Sequence, residues 1–129
     1  MAEGFARTYG SDVLVSRSAG LAPATFISPL TVKMMAEKNI DLREHFPKDL
    51  GILSSEKFDV LVNISGNKLP GDMDIPVLEW KVEDPIGGKE SLFREVCNQL
   101  EGLVMKLIIE TRAEQQRNLT RGIRVPDNE

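Results

Sequence analysis

Thiol and imidazole chemistry in this 129-residue chain comes down to two side chains, Cys97 and His45. A single cysteine excludes an internal disulfide and any Cys-x-x-Cys metal site, and one histidine leaves too few ligands for a zinc centre. Neither a Ser–His pairing nor a metal-ligating cluster stands out, so catalysis by those routes has no constellation here. The remaining polar candidates follow apolar runs. Asp84-Pro85, with Gly87 and Gly88 behind it, is ordinary turn chemistry that also presents a carboxylate. Ser18 ends the run Val13–Ser18, at the end of a strand where open α/β sheets hold their ligands. Asn63, Ser65 and Asn67 occupy the same rim after the next strand and are loop residues that could line a pocket. Trp80 stands just before the Asp84 turn, where it either walls a cleft or packs against the core. His45 lies in a polar loop and is assigned no role.

The elements that must position these groups alternate in type. "MAEGFARTYG" carries Phe5 and Tyr9 four apart, with Met1 and Ala6 on much the same side, which predicts a helix without a side-chain N-cap. Residues 13–18, "VLVSRS", read as a strand. A second helix starts at Ser28 as N-cap with Pro29 at the first helical position, and Asn39 closes it in a left-handed conformation with Ile40 and Leu42 folding back. Residues 43–57 read as a polar loop with one helical turn around Leu50. "FDVLVNIS" predicts a strand buried on both faces, and "IPVLEW" a shorter one with Pro76 at its start or on an edge. Leu92, Phe93, Val96, Leu100, Leu103, Val104, Leu107 and Ile108 keep helical spacing for over four turns. Cys97 falls on the core side of that helix, where a thiol is inert. From about Arg112 the chain is polar, so residues 1–112 read as one α/β domain and 113–129 as a polar tail.

Bulk properties narrow the partners. A formal net charge of −4 argues against a nucleic-acid binder. No apolar run is long enough to span a bilayer, and no charged-then-apolar leader opens the chain, which makes the cytoplasm the expected location. No metal or organic cofactor is expected.

"MAEGFAR", "SAG" after the next strand, "FDVLVNIS" and "EDPIGG", in that order, resemble the low-molecular-weight protein tyrosine phosphatases and the related arsenate reductases of the same fold, over residues 1–112. The resemblance implies a three-layer, mostly parallel sheet flanked by helices, with a phosphate-ester or other oxyanion ligand. It implies Asp84 as general acid, protonating the leaving oxygen and later helping water attack, since a carboxyl beside a bound anion retains its proton. It implies Ser18 as a hydroxyl supporting the catalytic loop. The family's buried first strand and Cys-x5-Arg nucleophile loop have no counterpart in these residues: Cys97 follows no glycine-rich loop, and Leu103 stands where the arginine would be. The expected chain is therefore inactive as given. "VNISGNKLP" holds no cysteine, which favours the phosphatase branch over thiol-cycling arsenate reduction. A non-catalytic, anion- or partner-binding protein is the competing reading. Without a central strand, two apolar strand edges would be open, and a homo-oligomer closing that gap is expected.

Overall fold

Glu3 puts a negative charge at the positive end of the first helix, which has no side-chain cap of its own: α1 spans Ala2–Gly10 and starts with the Phe5 amide donating to the Met1 carbonyl at 3.1 Å. The structure is a computed structural model and describes residues 1–18, 27–42, 57–69 and 75–124. Phe5 and Tyr9 stack with ring centroids 6.0 Å apart, as their spacing predicts. The second helix, α2 (Pro29–Glu37), has Ser28 at its N-cap and Pro29 in its first turn. Asn39 takes φ +62°, which sends the Ile40 amide back to the Met35 carbonyl and the Asn39 amide to Ala36, both at 2.9 Å. Ile40 and Leu42 are buried behind that turn. His45, the turn around Leu50 and most of the 43–57 loop lie outside the described residues.

Two short strands, β1 (Leu61–Asn63) and β2 (Val77–Glu79), pair in parallel with Leu61 opposite Val77 and Asn63 opposite Glu79. Val60, Leu61 and Val62 are half-buried rather than enclosed on both faces, because among the described residues the sheet has two strands and β1 has one neighbour. The strand expected at residues 13–18 does not form. The Val13 and Leu14 amides both donate to the Gly10 carbonyl, at 3.0 and 2.8 Å, and Gln115 donates to the Val13 carbonyl. These bonds consume the segment's first residues in the end of α1, and Val15 is left 83% exposed.

The last helix, α3 (Glu90–Arg124), is 35 residues long, about 50 Å at the usual helical rise. It continues through residues 113–124, beyond the Arg112 end expected from the apolar pattern. The run Ala113-Glu114-Gln115-Gln116-Arg117 consists of strong helix formers, and no glycine or proline interrupts α3 between Leu103 and Arg121. Phe93, Val96, Cys97, Leu100, Val104 and Ile108 bury one stripe of α3 against Phe5 and Ala6 of α1 and Met34 and Met35 of α2. Among the described residues the core is thus mainly helical, and Ile64, Trp80 and Val82 pack against it from the side of the sheet.

A half-buried polar cluster joins all three helices. Glu101 of α3 accepts from the Tyr9 hydroxyl and from Lys38 Nζ, each at 3.0 Å. The Lys38 hydrogen bond holds the Glu101 carboxyl below its ordinary value of 4.5, against partial burial. A carboxyl lowered on folding stabilises the fold above its unfolded pKa and loses that contribution as pH falls through its folded one. Glu101→Gln should therefore cost about 1 kcal/mol at pH 7, a cost that shrinks below pH 4.5. Urea unfolding at pH 7 and pH 3 measures this, and an offset that stays constant with pH would overturn it.

Candidate functional site

Because β1 and β2 run parallel, their carboxyl ends lie on one side, the usual place for a ligand in an open α/β sheet. Asn63 ends β1 and is a rare buried polar residue, 4% exposed. Its Oδ1 accepts from the Ser65 amide at 3.1 Å and the Ser65 hydroxyl at 2.7 Å. Its Nδ2 donates to the Asn67 carbonyl at 2.8 Å and to Glu79 Oε1 at 3.3 Å. The Asn67 amide returns a bond to Ser65 Oγ at 3.1 Å, so residues 63–67 form a closed polar loop. The Trp80 amide donates to the Asn63 carbonyl at 3.0 Å, which extends the ladder to the end of β2. Asn63, Ser65 and Trp80, three of the residues expected at the rim, are brought together this way. The Trp80 side chain is half-buried and packs against the core.

Asp84 lies five residues past the end of β2. Its Oδ1 accepts from the Ile86 amide at 3.0 Å, and Gly88 N–H donates to the Pro85 carbonyl at 2.8 Å. Gly87 sits at φ +82°, a conformation that glycine adopts without the strain of a side chain. The result is a tight turn with an exposed carboxylate, leading into α3.

Ser18 is held elsewhere. Its hydroxyl donates to Glu3 in the first turn of α1, a carboxylate only 7% exposed whose Oε2 lies 2.8 Å from Arg7 Nη2. Glu3 and Glu79 are the two participants that residue types alone do not single out. Glu3 has a trace in the sequence, since Arg7 follows it at the i+4 spacing of a helical ion pair. Glu79 has none, because only the register opposite Asn63 gives it a role.

Cys97 is 1% exposed, with Sγ 3.8 Å from Met35 Sδ. Burial pushes its thiol above the ordinary value, with the Lys38 charge pulling the other way. Such a thiol is a poor nucleophile, as its place on the apolar side of the helix implies. Among the described residues no group of three or more His, Cys, Asp or Glu is placed to hold a metal, and no helix is long and apolar enough to cross a membrane.

No family model matches the chain. It is 31% identical over 112 residues to the glutaredoxin arsenate reductase of a Synechocystis strain, covering 84% of this chain and 85% of that protein. Among solved structures, an arsenate reductase in its oxidized state superposes with a TM-score of 0.74 at 30% identity, over 85% of this chain and 86% of that one. An arsenate reductase in its phosphate-binding state gives a TM-score of 0.73 at 29% identity with the same coverage. The cysteine-free segment "VNISGNKLP" favours the phosphatase branch, but these relatives bear the name of the other. Taken with the parallel strand pair and its flanking helices, the likeness is decisive: the chain belongs to the arsenate reductase family.

Proposed function

We propose that the chain is the oxyanion-handling body of an arsenate reductase-type protein, in the cytoplasm, where thiols stay reduced. On its own residues it does not turn substrate over. Its ligand is arsenate or phosphate, met beyond the carboxyl ends of β1 and β2, with Asp84 as the acid, Asn63, Ser65 and Trp80 at the rim, and Ser18 contributing from its place against Glu3 in the first turn of α1. The observation that carries the reading is the polar loop of residues 63–67 at the ends of a parallel strand pair, in a chain like an arsenate reductase solved in a phosphate-binding state.

Reduction of arsenate to arsenite takes two electrons. One thiolate attacks arsenic and an oxygen leaves as water once an acid protonates it; a second thiol then attacks the first sulfur, forming a disulfide and leaving the electron pair on arsenic. Asp84 suits the proton donor by its place, a carboxyl held by the Ile86 amide in the turn that follows β2. The thiols do not come from these residues, since Cys97 is the chain's one cysteine and is buried. The same reading takes the full architecture as three layers, with a strand between residues 13–18 and β1 and a Cys-x5-Arg loop that these 129 residues do not contain.

Three measurements test the proposal. Purified protein should neither hydrolyse p-nitrophenyl phosphate nor reduce arsenate with a thiol reductant above background, and Cys97→Ser should change nothing. Turnover that disappears in Cys97→Ser would overturn this. A strand and Cys-x5-Arg loop grafted ahead of Met1 from an arsenate reductase should confer activity that Asp84→Asn lowers by roughly 10²–10⁴. An unaltered rate removes Asp84 from the chemistry. Among the described residues β1 has one neighbour, and pairing of its other edge between copies is proposed, so sedimentation equilibrium at micromolar concentration should read a dimer or larger, and a monomer would refute the association.

A further inference from the structure

We propose that Asn63 is a positioning residue that locks the loop after β1 to the end of β2, and is not itself a ligand of the oxyanion. The identity of that ligand rests on the function proposed above; the lock does not. An asparagine side chain has two donor hydrogens and two acceptor sites. Asn63 has an internal partner for each: Asn67 O and Glu79 Oε1 for Nδ2, and the Ser65 amide and hydroxyl for Oδ1. With the residue 4% exposed, nothing remains to meet an incoming anion.

The four bonds reach three separate places. Ser65 opens the loop, Asn67 closes it, and Glu79 stands opposite Asn63 in the strand register. The Asn63 carbonyl adds the Trp80 amide, the first residue of the segment that runs to Asp84. Loop and strand end are therefore one mechanical unit, hinged on a single amide. The chemistry of that amide is specific. An aspartate would keep the acceptor half, but it would turn a carboxylate toward Glu79 and lone pairs toward the Asn67 carbonyl.

The polarity of the Asn63–Glu79 bond makes a rescue possible. In Asn63→Asp the two carboxylates repel and the loop loosens. Adding Glu79→Gln restores a bond of reversed direction, with the glutamine amide donating to the new carboxylate. The test uses the isotope-labelled full chain, with amide exchange read at Ser65 and inorganic phosphate titrated into the same samples. Asn63→Ala and Asn63→Asp should speed Ser65 exchange and weaken phosphate binding by ~10-fold each, the scale of one lost hydrogen bond. Asn63→Asp with Glu79→Gln should recover most of both, which mere loss of packing would not allow. A double variant no better than Asn63→Asp, or Asn63→Ala with the parent's exchange and affinity, overturns the assignment. Should the parent bind no phosphate, the oxyanion reading falls, and the exchange pattern alone decides for or against Asn63 as the lock.

Discussion

Two positions without a side chain set how closely the helices of this protein approach. A Cβ at Gly4 would lie 2.9 Å from Met35 Cε and 3.1 Å from Leu42 Cδ2, and one at Gly10 would lie 2.7 Å from Ile108 Cγ1. The first position meets the side chains of Met35, Leu42 and Ile40, and the second sets the end of α1 against Ile108 of α3. Phe5, Met35 and Ile108 are fully buried where these side chains meet α1. A larger residue at Gly10 would press on the branched Ile108 side chain, whereas at Gly4 the nearest atom is the flexible end of Met35.

Much of the polar architecture is arranged around that seat. Glu3 is carried to Ser18 and Tyr9 to Glu101 because α1 lies close and in one orientation. Outside the core, Lys33–Glu90 at 2.6 Å and Arg94–Glu37 at 3.1 Å bridge α2 to the first turns of α3, and Asp12–Arg112 at 3.0 Å ties the turn after α1 to its middle. These pairs are exposed and individually weak, so they align the helices more than they hold them. Among the described residues the sheet is a smaller annex, with Ile64, Trp80 and Val82 packed against the core. Its polar loop can therefore be shaped by local bonds without disturbing the helical core.

What could be read from the residues was what depends on neighbours in the chain. The start of α2 at Ser28-Pro29 and its left-handed exit at Asn39 are local chemistry, and both appear where the residues put them. The stripe on α3 and the burial of Cys97 follow from periodicity alone. Residues 13–18 show the limit. A β-branched run is a strand only if another backbone lies alongside, and here Gly10 and Gln115 engage its first residues instead. The end of α3 was hidden for the opposite reason: an apolar pattern marks where a helix packs, and this one outlasts its packing. At the rim, Asn63, Ser65 and Trp80 were visible as types at strand ends, whereas Glu79 enters through register and Glu3 through a contact fifteen residues away.

The burial of Cys97 has a consequence for how this molecule can be observed. A reagent that modifies thiols cannot reach Sγ while Val96, Leu100 and Met35 enclose it, so labelling must wait for the core to open. When reclosing outpaces the reagent, the labelling rate is the free-thiol rate multiplied by the fraction of time spent open. With one cysteine in the chain, no second thiol contaminates the signal. The protein thus contains its own gauge of core opening, legible in dilute solution of the purified chain, without denaturant.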